Sequence, residues 1–438
     1  MRLFFGVALI AVSNLIAVQT IAGDKVIHAG NLIDGISDSP VHNVSIIIKG
    51  DKIVSVSPGF QTPEGAEVID LRQSTVLPGL IEAHAHVAYR RGGMSVRLTG
   101  NDMSDALAGV GQVKKLLMSG FTSIRNLGSE GGTDLALKLA IKRGDIEGPR
   151  MWVSLEYLGP TGGPSDPQNG IDEGWHHDHW GSHIIDGKDE AIKQIRLHKR
   201  RGADVIKIFP SGAVGNSGDS SDPSQKLMTD EEIKAVVDTA HSLGMPVAAH
   251  AHSKSAIDAS IRAGVDSIEH GTYGDTESFK LYKSHGTYLV PTLLVPELVA
   301  AQADDKPVLG GPSPQEKVRK IVSVHQAMFR AAVKSGVKIA FGTDVAGLVP
   351  YDGSAREFAI MVKDGMTPME AIKSATYNGA ELLRATHSVG SVQPGRFADL
   401  IAVDGDPLAD IRELEDVDFV MKGGTVYKNK AGASSLSN

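Results

Sequence analysis

Short runs of apolar residues, separated by turn sequences, occupy both ends of the chain. The clearest runs are 44–48, 53–56, 68–71, 398–403 and 419–427. The sequence Lys-Gly-Asp-Lys at 49–52 and the Gly-Gly pair at 423–424 favour hairpin turns between strands. Because neither end is long enough to form a stable sheet alone, they are expected to pair with each other. The pattern therefore predicts a small β-sandwich domain formed by residues 23–75 and 390–438.

Residues 76–389 have a different pattern, in which short apolar runs precede stretches with helical periodicity. The predicted strands are 75–83, 122–126, 150–155, 205–209, 247–249, 267–269, 288–290 and 338–341. Helical periodicity is clear between them, as in 230–242 and 254–263. Repeated strand–helix units of this kind predict an α/β fold, a (β/α)8 TIM barrel. Such barrels carry their functional groups at the carboxyl ends of the strands, so chemically active residues should directly follow apolar runs.

One segment interrupts this alternation. Residues 159–182 are rich in glycine, proline, aspartate and histidine, and they include the sequence Trp-His-His-Asp-His-Trp at 175–180. A loop of this length is uncommon in a compact domain unless it covers or forms a binding site. We therefore take His176 and His179 in this loop as candidate substrate contacts.

Composition limits the chemistry that the chain can perform. It has 438 residues, a formal net charge of -8 and no cysteine. The length fits one large barrel with a satellite domain. The mild acidity offers no basic surface for nucleic acid. Without cysteine there can be no disulfide, thiolate metal site or cysteine nucleophile, so any metal must have nitrogen and oxygen ligands.

The first 22 residues have the features of an export signal. Arg2 precedes an almost wholly apolar run at 3–18, and small residues follow at Thr20 and Ala22. A membrane anchor is the alternative, but a spanning helix needs about 20 apolar residues. We therefore expect cleavage after Ala22, export to the periplasm or the exterior, and no stable membrane insertion afterwards. We also expect a homo-oligomer.

A pair of histidines, His84 and His86, ends the first predicted strand of the middle region. Residues two apart on a strand face the same side, so both imidazoles would point into the barrel mouth. A single histidine is more often structural, whereas two at this spacing after an apolar run favour a shared metal ion.

Lys207 lies inside the apolar run 205–209. A buried ammonium is costly and loses its proton readily. Taken alone, the residue could simply pair with a carboxylate. The alternative is that its neutral amine reacts with carbon dioxide to form a carbamate, which could bridge two metal ions. The other residues at the strand ends favour the carbamate.

Three further polar residues follow apolar runs, namely His250, His270 and Asp344. One helix separates the strands that end at His250 and His270, so adjacent strands would bring both side chains to the same mouth. The predicted metal centre consists of six residues: His84, His86, Lys207, His250, His270 and Asp344.

This set of residues resembles the binuclear metal centre of the amidohydrolase superfamily. Similar phrases in this chain are Val-Leu-Pro-Gly-Leu-Ile-Glu-Ala-His-Ala-His at 76–86, Phe-Gly-Thr-Asp at 341–344 and Gly-Arg-Phe-Ala-Asp-Leu at 395–400. The resemblance implies two divalent metal ions. One would be held by His84, His86 and Asp344, and the other by His250 and His270, with carboxylated Lys207 as the bridge. Zinc is the expected metal, and manganese, cobalt or nickel could use the same ligands.

Two phrases resemble the imidazolonepropionase-like branch, which includes Xaa-Pro dipeptidases and ochratoxin-hydrolysing amidases. They are Val-Ile-Lys-Ile at 205–208 and Ser-Ile-Glu-His-Gly-Thr at 267–272. Those enzymes cleave the amide next to a C-terminal amino acid. The chain departs from the branch at Pro164, which follows Thr-Gly-Gly at a point where a histidine is common. His176, His177 and His179 are candidates for that histidine.

The implied reaction is attack on an amide carbonyl by a hydroxide that bridges the metal ions. Asp344 would accept the proton of the attacking water and return it to the leaving amine. His252 could donate to the tetrahedral oxyanion, or it could be an exposed histidine without a role. Tyr89, Arg90 and Arg91 could bind a substrate carboxylate, or they could form a solvated loop.

We therefore expect a dipeptidase, carboxypeptidase or N-acyl amino acid amidase that acts on a small molecule or dipeptide. One alternative is a cyclic amide hydrolase or deaminase, which the resemblance associates with one metal and no carboxylated lysine. The other alternative is a non-catalytic binding protein on the same scaffold, which would have no need of Asp344.

Overall fold

The computed structural model describes residues 24–88, 100–169, 171–172, 174, 183–214, 222–301, 314–346 and 350–430. Its strands are β1 (Lys25–Leu32), β2 (Val41–Lys49), β3 (Lys52–Pro58), β4 (Glu67–Pro78), β5 (Leu80–Ala85), β6 (Phe121–Asn126), β7 (Arg150–Val153), β8 (Ile206–Ile208), β9 (Val247–Ala251), β10 (Ser267–His270), β11 (Tyr288–Val290), β12 (Leu400–Val403), β13 (Phe419–Lys422) and β14 (Thr425–Asn429). Its helices are α1 (Asp102–Met118), α2 (Thr133–Arg143), α3 (Lys188–Arg201), α4 (Asp230–Ser242), α5 (Lys254–Ala263), α6 (Thr276–His285), α7 (Leu294–Ala300), α8 (Pro314–Lys334), α9 (Arg356–Lys363), α10 (Pro368–Ser374) and α11 (Tyr377–Leu382). The protein is thus an α/β protein with parallel and mixed sheets.

Both ends of the chain contribute to one seven-stranded sheet. Its order is β14-β13-β12-β4-β1-β2-β3, in which β1 and β4 are parallel and the other neighbours are antiparallel. Apolar side chains from both ends form its core, including Ile27, Ile46, Leu400 and Phe419, all fully or almost fully buried. The two terminal segments therefore fold as partners, because each supplies the apolar face that the other needs.

The middle region forms two parallel sheets. One has the order β5-β6-β7 and the other β11-β10-β9-β8. Single parallel bridges extend these sheets, namely Leu158 with Ile208, Leu289 with Ile339, and Ala85 with Val345. All of these strands except β7 are buried throughout, as expected when helices cover a parallel sheet, and in β7 Arg150 and Trp152 are only partly buried.

Two of the predicted strands were wrong in detail. The run 75–83 is divided, because its first part belongs to β4 in the terminal sheet and only its second part belongs to β5. Pro78 has no N–H for pairing, and a Cβ at Gly79 would lie only 2.1 Å from Thr122 Oγ1. The run 338–341 makes a single bridge, at Ile339, instead of a regular strand.

The helices α4 and α5 have the bounds that the sequence predicted. Thr229 caps α4 and forms a capping box with Glu232, while Ser253 accepts from the N–H of Ala256 at the start of α5. In α4 the buried positions are Ile233, Val236, Val237 and Ala240, which form one face at helical spacing. In the part of the chain that the structure describes, no helix has the length and apolar character needed to span a bilayer.

Candidate metal centre

His84 and His86 point to the same side of the chain, as their spacing predicted. Their ring centroids are 5.3 Å apart. Nε2 of His84 lies 3.5 Å from Asp344 Oδ1, and Nε2 of His86 lies 3.2 Å from the same oxygen. His84 is buried, whereas Asp344 keeps 28% of its side-chain surface exposed. The three side chains therefore present nitrogen and oxygen donors to one small space that solvent can enter.

The backbone holds Asp344 beside β5. The N–H of Asp344 donates to the carbonyl of His84 at 2.8 Å, and the N–H of His86 donates to the carbonyl of Val345 at 2.9 Å. Asp344 has a φ of 59°, in the left-handed region that is uncommon for residues with a Cβ. This conformation is typical of functional sites, where the surrounding hydrogen bonds maintain it.

Lys207 is buried in the centre of β8 and reaches the histidine pair. Its Nζ lies 3.3 Å from Nε2 of His84. Burial lowers the pKa of Lys207 to about 8, against the opposing effect of Glu269 and Asp344. At pH 7 about a tenth of the amine is then neutral, far more than for an ordinary lysine, and the neutral form is the one that can react with carbon dioxide.

His250, His252 and His270 form a second, buried group. The ring centroid of His250 is 4.7 Å from that of His252 and 4.5 Å from that of His270, and the rings of His252 and His270 stack at 4.8 Å. One ring nitrogen from each lies within 4.8 Å of the others. The same is true of donor atoms in His84, His270 and Asp344, so His270 belongs to both groups.

Hydrogen-bond partners determine which ring nitrogen of each histidine faces the centre. Nδ1 of His252 contacts Thr272 Oγ1 and Nδ1 of His270 contacts Thr292 Oγ1, each at 2.7 Å. Nε2 of His252 is buried and has no hydrogen-bond partner among the described residues. Contacts of this kind, on the nitrogen away from the metal, are usual for metal-binding histidines.

The protonation states also suit metal binding. Burial lowers the pKa of His84 to about 4 and that of His252 to about 3, and it moves those of His250 and His270 well below the usual range. Burial favours the neutral acid of Asp344 and raises its pKa, but the interactions with His84, with His86 through a hydrogen bond, and with Lys207 outweigh burial and lower the pKa. Neutral imidazoles and an ionised carboxylate are the ligand forms that bind divalent cations.

The residues present therefore fit divalent metal ions. The six predicted ligands lie close together, and His252 joins His250 and His270 in one donor group. The sequence had left His252 open between an oxyanion contact and an exposed histidine. The donors are nitrogen and oxygen atoms with no thiolate among them, as the composition required.

Three buried charged residues near the centre were missed by the sequence interpretation. Glu82 accepts from the backbone N–H groups of His84 and Thr343 and from the Thr343 hydroxyl. Arg125 donates from Nη2 to Glu269 Oε1 at 2.9 Å, and the other oxygen of Glu269 lies 2.9 Å from His84 Nδ1. Each is a charged residue inside an apolar strand, which is the signal that identified Lys207.

The proposed substrate contacts Tyr89, Arg90, Arg91, His176 and His179, together with His177, lie outside the described residues. Part of the loop at 159–182 is described, and there Thr161 donates hydrogen bonds to Asp186 from both its N–H and its hydroxyl. Beyond the loop, His183 packs against Tyr157, whose ring meets Phe209, and Phe209 stacks on His250 at 4.4 Å. This aromatic series connects the end of the loop to the candidate metal centre.

Comparison with known proteins agrees with this geometry. Residues 75–427 match the model of the amidohydrolase family. Ochratoxinase from Aspergillus niger is 32% identical over 428 residues, which cover 92% of this chain and 86% of that protein. The crystal structure of a Xaa-Pro dipeptidase with bound methionine in its active site is 37% identical, with a TM-score of 0.86, and covers 93% of this chain and 100% of that one. The crystal structure of a prolidase complexed with N-methylphosphonate-L-proline is 29% identical, with a TM-score of 0.84, and it also covers 93% of this chain and 100% of that one. The chain therefore belongs to the amidohydrolase family and is a hydrolase.

Proposed function

We propose that the protein is a binuclear metal-dependent hydrolase that cleaves the amide bond next to a C-terminal amino acid. The observation that carries this proposal is the pair of donor groups that share His270, with Lys207 buried beside His84. A site for a single structural metal would need only one such donor group. A non-catalytic binding protein would have no use for the partly exposed carboxylate of Asp344 between His84 and His86.

In this proposal, His84, His86 and Asp344 would hold one metal ion and His250 and His270 would hold the other. Lys207 would be a ligand shared by both once its neutral amine has added to carbon dioxide, a step that releases a proton and leaves an anionic carbamate. Burial of Lys207 supports this, because an anionic carbamate between two cations removes the cost of a buried ammonium. Zinc is the metal that we propose, since histidine and carboxylate ligands suit it.

When bound, the divalent ions would lower the pKa of a coordinated water and polarise the substrate carbonyl. Asp344 has one oxygen near two histidines and an exposed fraction through which substrate and water can approach. We assign it the transfer of the proton from the attacking water to the leaving amine. That transfer needs a carboxylate, and the lowered pKa of Asp344 keeps it in this form.

His252 has two possible roles, which differ in the direction of its hydrogen bond to Thr272. If the threonine hydroxyl donates to Nδ1, the proton of the imidazole is on Nε2, which can then donate to the oxyanion of the tetrahedral intermediate. If Nδ1 donates to the hydroxyl, Nε2 has a free lone pair and is a metal ligand. We propose the first arrangement, because His250 and His270 already supply two nitrogens to that metal.

The proposed substrates are dipeptides or N-acyl amino acids, including ochratoxin-type amides, by analogy with the ochratoxinase and the Xaa-Pro dipeptidase. These substrates carry a free carboxylate, which a cationic group should bind. We propose Tyr89, Arg90 and Arg91, just after the histidine pair, for this contact, and His176 and His179 for contacts from the loop.

Several broader proposals accompany this function. The bridges from Leu158, Leu289 and Ala85 support closure of the two parallel sheets into one (β/α)8 barrel of residues 76–389. We propose that residues 23–75 and 390–438 form the accompanying β-sandwich domain. We also propose that residues 1–22 are a signal peptide, that the enzyme is exported, and that it is a homo-oligomer.

A metal count with an activity panel tests the proposal. We expect two metal ions per chain in the purified protein, and loss of one or both in Lys207→Ala, with Lys234→Ala on the exposed side of α4 as the matched control. The panel should contain dipeptides, N-acyl amino acids, lactones and cyclic amides. Unchanged metal content and activity in Lys207→Ala would reject the bridge. Ammonia release from a ring substrate without peptide cleavage would reject the substrate class.

A further inference from the structure

We propose that a cavity at the amino ends of β8 and β9 binds a small carboxylate that carries one ring-sized apolar group. The cavity has a volume of about 240 Å³. Its wall includes Val205, immediately before β8, and Pro246, immediately before β9, whereas the candidate ligand His250 lies near the other end of β9. The cavity is therefore separate from the metal centre, although the same strands run between them.

The charges around the cavity favour an anion. Three cationic residues line it, Arg125, Lys199 and Arg384, and the one acidic residue of the lining is Asp204. Arg125 is already paired with Glu269, and Arg384 is already paired with Asp266 at 2.7 Å. Asp204 is already neutralised, because Lys138 Nζ contacts its two oxygens at 2.7 and 2.5 Å and the N–H of Val153 donates to it at 2.8 Å. Within the described part of the chain, the ammonium of Lys199 has no hydrogen-bond or ion-pair partner. A bound carboxylate would supply the missing anion.

The rest of the wall is apolar and suits a ring. Trp152 provides an aromatic face, and Met245, Pro246 and Leu382 complete the surface around it. A cavity of about 150 Å³ is known to hold benzene, so this one can hold a ring together with a carboxylate. Combined with the ammonium of Lys199, this lining fits an amphiphilic monocarboxylate better than an inorganic anion, which would leave the apolar wall in contact with water.

Arg125 connects the cavity to the metal centre. Arg125 lines the cavity, and its guanidinium donates to Glu269, whose second oxygen lies 2.9 Å from Nδ1 of His84. A carboxylate in the cavity would compete with Glu269 for the guanidinium and so weaken the contact that orients His84. This step rests on the proposed metal centre, whereas binding itself does not. Hydrolysis of an N-acyl amino acid releases a carboxylate of this class, so the cavity could sense the product.

Binding of benzoate to the full-length, metal-loaded protein tests the proposal by calorimetry. We expect benzoate to bind and benzamide, its neutral analogue, to bind much more weakly. Lys199→Gln should weaken benzoate binding roughly three- to fivefold, as for loss of one exposed ion pair. Lys193→Gln is the matched control, because Lys193 is on the same helix but lines a different groove. It should leave the affinity unchanged.

Three results would overturn the proposal: equal affinity for benzamide, equal weakening by Lys193→Gln, or undiminished benzoate affinity in Lys199→Gln. The last would indicate binding at the metal centre. The effect on turnover is a separate measurement. If benzoate binds in the cavity but lowers the rate equally in the wild type and Lys199→Gln, the connection through Arg125 is wrong while the binding site remains. If no amide is hydrolysed at all, the proposed function fails and the binding result still stands.

Discussion

Glu269 Oε2 lies 2.9 Å from His84 Nδ1, and both side chains are buried. Burial of Glu269 favours its neutral form, but the charge of Arg125 and the contact with His84 outweigh this and lower its pKa to about 2. Glu269 is therefore a carboxylate that orients His84 from the side away from the centre and balances the buried charge of Arg125.

Replacing Glu269 by glutamine should weaken metal binding and destabilise the fold. The amide keeps the shape but removes the charge, which leaves Arg125 uncompensated in the interior. We expect the free energy of unfolding to fall by about 3 kcal/mol and metal affinity to fall by roughly 10- to 100-fold. Urea unfolding and metal titration measure the two effects. Glu277→Gln, an exposed glutamate on α6, should change neither. Unaltered metal affinity in Glu269→Gln would show that Glu269 does not orient His84.

Replacing His252 by glutamine separates its two possible roles. If His252 donates to the oxyanion, we expect kcat to fall by roughly 10²- to 10³-fold with KM and metal content little changed. The measurements are steady-state kinetics and a metal count on the same preparation, with the exposed His241→Gln as control. Loss of metal in His252→Gln would instead identify a ligand. If His252 is the oxyanion donor, Thr272→Val should also reduce activity, because loss of the Thr272 hydroxyl alters the tautomer of His252. The metal content should stay the same in Thr272→Val.

The sequence predicted the elements that depend on local pattern. The helices α4 and α5 were predicted with their bounds because Thr229 and Ser253 provide capping groups directly before an apolar helical face. The prediction of one strand at 75–83 was wrong because the apolar residues of this run continue from the end of β4 into β5, which belong to different sheets. Only the three-dimensional pairing of β4 with β12 reveals the change at Pro78.

The candidate centre was predictable only in part. His84 and His250 were predicted because they end apolar runs, and Lys207 because it is a lysine inside one, and both are local features of the sequence. The contacts of Glu269 with His84 and of Thr292 with His270 depend on which strands become neighbours. The sequence left His252 open between an oxyanion contact and an exposed histidine, and the structure buries it beside His250 and His270. Because β9 ends at Ala251, the His252 ring lies at 79° to that of His250 and reaches the donor group.

The ion pair between His183 and Glu130 should make stability depend on pH. Burial opposes the charged form of His183, but the hydrogen bond and charge of Glu130, at 2.8 Å, outweigh it and raise the pKa. The stabilisation is therefore fully present below the unfolded histidine pKa of about 6.5, and it is lost as the pH rises through the higher folded value.

The difference in unfolding free energy between the wild type and His183→Gln should thus be larger at pH 6 than at pH 9. Urea unfolding at the two pH values measures it, and added salt should reduce the difference because Glu130 is 45% exposed. In a Glu130→Gln background the pH dependence of the His183→Gln effect should disappear. An effect of His183→Gln that is the same at both pH values would contradict the assignment.

Asp399 connects the terminal sheet to the first parallel sheet. It is buried and accepts from Arg150 Nε and Nη2 at 2.9 and 3.2 Å and from the N–H of Gly423 at 2.7 Å. Arg150 belongs to β7 and Gly423 to the turn between β13 and β14. This one carboxylate therefore holds together parts of the chain that are distant in sequence.

Asp399→Asn should destabilise the protein without a direct effect on the reaction. The amide cannot form two charged hydrogen bonds with Arg150, so we expect the free energy of unfolding to fall by about 3 kcal/mol. Asp416→Asn is the control, because Asp416 is 79% exposed and pairs loosely with Lys430 at 3.5 Å. It should lower the free energy of unfolding by less than about 0.5 kcal/mol. Since none of the candidate metal ligands contacts Asp399, kcat should stay unchanged at temperatures where Asp399→Asn remains folded. Equal stability of the two variants would show that Arg150 and Asp399 do not hold the two sheets together. Loss of kcat in a folded Asp399→Asn protein would show that the contact between Arg150 and Asp399 also determines the geometry of the metal centre.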